Sequence, residues 1–308
     1  MGADVDTAVS ALLRGELIIL PTETVYGLAC DAGNPHAVAK VFEAKGRPQF
    51  NPLIAHVTGL EGALAIAALS PRAQRLAEAF WPGPLTLVAP IRDSDAVSDL
   101  ARAGLDTVAV RAPDHPVAQA LLTAIARPLA APSANRSGRP SPTTVADALE
   151  ETGAFAAAAL DGGPCRVGLE STVLGEIEGE LVLLRPGAVT RADIERIAGP
   201  LASGLGEGHR SPGRLARHYA PSKPLRLDVL KPSPNAAWLA FGPEPPGRAP
   251  YLNLSQTGDL AQAAANLFAF LRAADRTDAA LIEIAPIPHA GLGEAINDRL
   301  QRAAGRVG

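Results

Sequence analysis

The sequence predicts an α/β protein in two parts: a twisted, mixed α+β-like sheet domain, then a smaller Rossmann-like α/β C-terminal domain. Three observations carry this. The 308 residues suit two domains at roughly 150 residues each. Short apolar runs alternate with stretches of helical periodicity along most of the chain. Between Gly199 and Pro221 the periodicity gives way to GPLASGLGEGHRSPGRLARHYAP, a Gly- and Pro-rich connector. The expected boundaries are a first domain over 1–200, a linker over 201–222 and a second domain over 223–308.

Val5, Ala8, Val9, Leu12 and Leu13 recur at helical spacing and lead through Gly15 into the apolar run Leu17 to Leu20, which reads as a buried strand. Asn34 as cap and Pro35 as first residue start a second helix, which carries Val38, Val41 and Phe42 inward and stops at Gly46. Strands are expected at 53–57, 85–91, 107–111, 128–131, 157–160, 171–177 and 181–184. Helices are expected at 71–80, 116–125 and 143–150, with Ser70 and either Ser141 or Thr143 as caps. A helix over 191–197 closes the first domain. Beyond the connector come strands at 225–230 and 237–241, an extended piece at 251–254, a helix at 259–273, a strand at 280–284 and a helix at 292–303. No GxGxxG follows the first strand of that second unit, so its Rossmann-like pattern assigns it no nucleotide.

Composition narrows the function. Hydrophobic residues are 47% and charged residues 19%, which fits a folded globular chain rather than a disordered one. With 28 basic and 32 acidic residues the net charge is −4, against a broad nucleic-acid-binding face. Cys30 and Cys165 are the only cysteines, too few for a zinc finger or a disulfide framework, and they suit a reducing compartment. The first residues lack a secretory pattern and no apolar run reaches about 18 residues, so the expected location is the cytoplasm, with no membrane contact.

Polar and cationic groups recur where strands end. Pro21-Thr22-Glu23-Thr24-Val25-Tyr26-Gly27-Leu28 follows a buried strand, where α/β sheets present ligands, although the same residues suit a capped turn. Lys45 and Arg47 flank Gly46 at a helix C-terminus, as a solvated cap or as a clamp on a polyphosphate. His56 follows on the next strand, a core histidine or a ligand. The stretch 131–143, APSANRSGRPSPT, is a loop dense in hydroxyls and amides feeding a helix, equally turn chemistry and phosphate cradle. Arg111, Ser171 and Arg185 stand at further strand boundaries. No Ser/His/Asp order or metal-ligand spacing accompanies them. The pattern therefore suits chemistry done by positioning and charge neutralisation, as in phosphoryl or nucleotidyl transfer, on an anionic nucleotide-like ligand.

In order and spacing, PTETVYGL (21–28), KGRPQFNPL (45–53), WPGPLT (81–86), PSANRSG with SPT (132–143), ESTV (170–173), LRPGA (184–188) and SPG with HYAP (211–221) resemble the threonylcarbamoyl-AMP synthase family, YrdC-like, in its long two-domain form. The resemblance runs from about residue 5 to residue 221, and the remainder matches in size and position. It implies that L-threonine, bicarbonate or carbon dioxide, and ATP with Mg²⁺ give threonylcarbamoyl-AMP and pyrophosphate, for threonylcarbamoyladenosine in tRNA. A separate downstream tRNA threonylcarbamoyl transferase would handle the tRNA, so no stable nucleic-acid binding is expected. It further implies a threonine pocket of Thr24, His56, Arg111, Ala131 and Ser171, with Arg111 on the carboxylate. The implied ATP contacts are Arg47, Asn51, Thr107, Ser133, Asn135, Ser141, Arg185 and Tyr219, and Lys45 and Arg47 are the implied catalytic pair. Asn135 is either a phosphate ligand or the residue that holds its loop. Tyr219 implies that the linker folds back over the site and shields labile intermediates from water. Where relatives often carry a lysine between SPG and HYAP, this chain has Arg214-Leu215-Ala216-Arg217. The alternative is an RNA-binding or scaffold protein of the same fold without turnover. A hydrogenase-maturation type of carbamoyl-adenylate enzyme would need cysteine-rich zinc fingers that two cysteines do not supply.

Overall fold

The computed structural model describes residues 3–202, 218–243 and 251–305. Arg214, Arg217, the SPG element and most of the expected linker therefore lie outside the described residues. The first part contains α1 (Val5–Leu13), β1 (Leu17–Leu20), β2 (Gly27–Asp31), α2 (Pro35–Lys45), β3 (Ile54–His56), α3 (Leu60–Ile66), α4 (Pro71–Phe80) and β4 (Leu85–Pro90). It continues with α5 (Asp99–Arg102), β5 (Thr107–Arg111), α6 (Pro116–Ile125), β6 (Leu129–Ala130), α7 (Val145–Thr152), β7 (Ala156–Ala159), β8 (Thr172–Ile177), β9 (Glu180–Arg185) and α8 (Arg191–Ala198). The second part contains β10 (Leu225–Arg226), β11 (Ala236–Ala240), β12 (Tyr251–Asn253), α9 (Leu260–Asp275), β13 (Leu281–Ile284) and α10 (Leu292–Ala303).

The nine strands β1 to β9 form one mixed sheet in the order β7-β1-β2-β6-β3-β5-β4-β8-β9. Two parallel pairings set the site. β3 beside β5 aligns His56 with Arg111, and β4 beside β8 aligns Leu85 with Thr172. The antiparallel β8–β9 pair then aligns Val173 with Arg185. Side chains at i and i+2 share a face of a strand, so these registers fix which groups meet at the sheet's ends. The main core packs Ile19, Leu28, Val41, Leu76, Leu87 and Val110 against the helices. The second part is a four-stranded parallel sheet ordered β10-β13-β11-β12, with α9 and α10 supplying Leu267, Phe268, Ile296 and Leu300 to its core. Val25, Leu169 and Tyr219 belong to that same buried cluster, so the second core reaches the first part of the chain.

Local signals set the helix ends. Asn34 accepts from the backbone N–H groups of His36 and Ala37, and Gly46 closes α2 at φ 57°, a left-handed turn that suits glycine. Ser70 caps α4 through Ala73 N–H. Four expectations are corrected. β2 stands where only a turn and strand end were expected, because GLACD is buried on both faces and shows no alternation. α3 and α5 are short, seven and four residues, and were not anticipated. The cap of α7 is Thr144, whose hydroxyl accepts from Asp147 N–H, not Ser141 or Thr143. The strand expected over 225–230 is limited to Leu225–Arg226. Among the described residues no helix is long and apolar enough to cross a membrane.

Candidate functional site

The cavity of interest lies where β3, β5 and β9 end and β8 begins. Thr24, Arg47, His56, Arg111, Ala131, Ser133, Ser171, Arg185 and Tyr219 line it, together with Val25, Pro52, Leu53, Ile54, Pro132, Glu170 and His218. The empty space inside its walls, open side included, is about 500 Å³.

One wall is built by the sheet. Thr22 ties the 22–25 turn shut, donating to Val25 O at 2.6 Å and sharing a hydrogen bond with Thr24 Oγ1 at 2.9 Å. That turn delivers Glu23, whose Oε1 accepts from Arg111 Nη2 at 2.6 Å while Oε2 accepts from Asp114 N at 3.0 Å. Arg111 Nε also donates to Gly83 O at 3.3 Å. The guanidinium is thus held from two directions. His56 is buried, with Nδ1 against Ile54 O at 3.1 Å. Burial, then the neighbouring Arg111, push its pKa down to about 3, so the ring beside Arg111 is neutral. Ser171 Oγ meets Thr86 Oγ1 at 2.7 Å.

The opposite wall is cationic. The left-handed turn at Gly46 sends Arg47 toward the cavity, where Nε donates to Asn51 O at 3.1 Å and Nη2 to Pro52 O at 3.0 Å. Burial, with Arg185 nearby, holds its pKa down to about 10, which still leaves it charged at neutral pH. Arg185 is anchored on Ser171, donating from Nε at 3.2 Å and Nη2 at 2.8 Å to the carbonyl and from Nη2 at 3.1 Å to the hydroxyl. His218 and Tyr219 close this side, ring edge to ring face at 4.0 Å. Tyr219 holds φ 62° and is 1% exposed, and Phe268 of α9 packs 5.5 Å from its ring. Burial likewise drives His218 to about 3, so it is neutral as well.

Some expected site residues stand behind the cavity rather than on it. Lys45 Nζ is buried and donates to the backbone carbonyls of Ser133 and Asn135, which pins the 133–135 loop. Burial, with Arg47 nearby, holds its pKa well below the ordinary lysine value. Of the two readings left open for Asn135, loop holding fits its contacts: Nδ2 donates to Arg136 O and Arg139 O at 2.8 and 2.9 Å. Asn51 contributes its backbone carbonyl to Arg47, while its side chain is buried outside the lining. Ser141 donates to Glu170 Oε1 at 2.6 Å. Thr107 begins β5, whose other end carries Arg111. Four residues of strand, ~13 Å, separate it from the cavity.

Two residues that the sequence reading passed over matter here. Glu23 sits inside a quoted motif but shows its use only through Arg111, 88 positions away. Glu170 precedes Ser171 and lines the cavity, where its partners are Ser141 and Arg299 of α10. Burial alone would raise its pKa, but Arg299, Arg185 and the Ser141 hydroxyl outweigh that and hold it below the ordinary glutamate value.

Two family models match successive stretches of the chain. Residues 10–187 match a family model named for Sua5, YciO and YrdC and described as telomere recombination, and residues 189–305 match one described as the C-terminal domain of threonylcarbamoyl-AMP synthase. The threonylcarbamoyl-AMP synthase of Bacillus subtilis is 40% identical, over 96% of this chain and 92% of that one. That of Pyrococcus abyssi is 39% identical, over 97% and 93%. Among solved structures, P. abyssi Sua5 complexed with L-threonine superposes at a TM-score of 0.89 with 37% identity, covering 98% of this chain and 94% of that one. E. coli YciO, at 21% identity and a TM-score of 0.53, shares the fold of the first part.

Proposed function

The chain belongs to the threonylcarbamoyl-AMP synthase family in its two-domain form, and we infer that it converts L-threonine, bicarbonate and ATP to L-threonylcarbamoyl-AMP and pyrophosphate. The product serves threonylcarbamoyladenosine formation in tRNA, and the enzyme is a nucleotidyltransferase. The observation that carries this reading is the convergence of Arg47, Arg111 and Arg185 on one cavity, each oriented by fixed acceptors. A dianionic carbamate and a triphosphate together need that much positive charge, delivered by groups that do not reorganise during the reaction.

Threonine's amine adds to the carbon of bicarbonate or carbon dioxide, giving an N-carboxylate with loss of water or a proton. A carbamate oxygen then attacks the α-phosphorus, and the bond to the bridging oxygen breaks so that pyrophosphate leaves. Arg111, oriented by Glu23, pairs with the threonine carboxylate. Thr24, neutral His56, Ala131 and Ser171 complete that pocket. Arg47, Arg185 and Ser133 contact the phosphates, and Tyr219 covers the nucleotide. Lys45 and Asn135 support the reaction by holding the loop that carries Ser133, a narrower role than direct contact with phosphate. Mg²⁺ travels as part of the nucleotide substrate, spreading the charge of the leaving pyrophosphate. Among the described residues no group of three or more His, Cys, Asp or Glu gathers that could hold a metal.

The division at residues 200 and 223 goes with this reading: the first unit carries the chemistry and the second backs the wall formed by His218 and Tyr219. A separate tRNA threonylcarbamoyl transferase uses the product, and the cytoplasm is the expected setting. The test is pyrophosphate release from Mg-ATP and bicarbonate with and without L-threonine, with L-serine as control. Threonine-dependent release, weaker with serine, is expected. Release independent of the amino acid would contradict the reading.

A further inference from the structure

A carboxylate is an unexpected wall for a cavity that receives a triphosphate. Glu170 is 7% exposed, lines the cavity beside Arg185, and is held ionised. Left alone, its charge would repel the phosphates and draw Arg185 toward itself. It is not left alone. Oε2 accepts from Arg299 Nε at 2.8 Å, across 129 residues of sequence, and Oε1 accepts from Ser141. Arg299 is 0% exposed, sits on α10 of the second part, and is itself steadied by Asp298 at 2.6 Å. Its guanidinium carbon lies 5.2 Å from the centre of the Tyr219 ring. The same helix takes hold of the adjacent backbone, because Arg302 O accepts from His218 N at 3.3 Å.

We propose that Arg299 is a positioning residue for the nucleotide side of the site: it touches no substrate, but it neutralises Glu170 and supports Tyr219, so that the carboxylate does not compete with the triphosphate for the cationic wall. The C-terminal part of the chain thereby sets the electrostatics of a cavity whose walls lie mostly in the first part. Glu170 in turn links three pieces that must keep register: the 133–143 loop through Ser141, the start of β8, and α10. On the threonine side Arg111 has its own carboxylate in Glu23.

This inference rests on ATP being the ligand of that wall, as proposed above, and its test uses binding so that it stands apart from turnover. Dissociation constants for Mg-ATP and for L-threonine are measured by titration calorimetry on the full chain. Arg299→Met leaves Glu170 uncompensated, and ATP binding is expected to weaken tenfold or more with threonine binding changed less than threefold. Adding Glu170→Gln to that variant removes the stranded charge and is expected to recover most of the lost ATP affinity. A merely structural role would weaken both ligands together and would not be rescued by a second substitution in the same contact. Equal weakening for both ligands, or no recovery in the double variant, would overturn the proposal. Should Arg299→Met not fold, Arg299→Lys carries the test: it keeps the charge, so ATP binding is expected to weaken by less than threefold, and a loss of tenfold or more overturns the proposal. Threonine-dependent pyrophosphate release by the unmodified chain is scored separately and bears on the reaction alone.

Discussion

Arg111 and Arg47 face the same cavity from scaffolds that differ in kind. Arg111 ends a central strand, its neighbour His56 is set by the β3–β5 register, and its counter-ion Glu23 comes from a turn closed by its own hydroxyls. The groups that orient it, Glu23 and Gly83, lie in loops of the first part. Arg47 follows a helix on a loop, fixed by the carbonyls of Asn51 and Pro52, and the wall beside it is His218 and Tyr219. Those two residues are held by Phe268, Arg299 and Arg302 of the second part, while Ala220 N–H reaches back to Gly138 O at 2.7 Å. A second clasp joins the parts where Arg272 of α9 meets Glu151 of α7 at 3.0 Å. The wall proposed for the amino acid is built mainly from the first part, and Val25 of its turn packs into the second core. The wall proposed for the nucleotide also needs the two parts to dock, because Arg299 of the second part meets Glu170 of the cavity lining.

The largest effect that separates the two sides is expected from Arg47→Ala. Losing a charged hydrogen-bond donor to phosphate should lower kcat/KM for ATP by about 100-fold, with KM for threonine little changed, as steady-state pyrophosphate release would record. Arg111→Ala is the mirror experiment: KM for threonine should rise about 10- to 100-fold while that for ATP holds. Glu23→Gln, which leaves the guanidinium present but loosely aimed, should move the threonine KM in the same direction by less.

Acid sharpens the comparison because one neutral histidine lies on each side. His56 and His218 are held at about 3 in the folded chain, against about 6.5 when unfolded. The unfolded chain therefore takes up protons first as pH falls. Stability from these residues is complete above about pH 6.5 and is lost on the way down toward 3, by up to about 2 kcal/mol for each at pH 5. Urea unfolding at pH 7 and pH 5 should show that loss, and His56→Asn and His218→Asn should each remove one share of it. An unchanged pH 7 to pH 5 difference in both variants would contradict the burial argument. The smallest effect is expected at Thr107: Thr107→Ala should leave both KM values within about twofold, since the residue stands at the far end of β5.

What was legible in the sequence was local. The Asn34-Pro35 start, the Gly46 stop and the Ser70 cap act within a few residues, so their chemistry is visible in a short window. The strand-end positions of Arg111, Ser171 and Arg185 follow from apolar runs, and the structure gathers them as neighbours. Short elements without periodicity were not legible: β2 is uniformly buried, and α5 is one turn. Distant pairings were hidden as well. Glu23 with Arg111 and Glu170 with Arg299 are separated by 88 and 129 positions, and neither carboxylate differs locally from a surface one. Lys45 shows the converse. Its place beside Arg47 suggested a phosphate contact, yet two carbonyls of the facing loop take its ammonium.

The central claim is that one cavity reads two ligands through separately built walls. It is tested most directly by varying threonine and ATP independently in pyrophosphate-release assays of Arg47→Ala and Arg111→Ala side by side. The account predicts a crossed result, with the ATP requirement rising in the first variant and the threonine requirement in the second. Parallel rises in both requirements for both variants would contradict it.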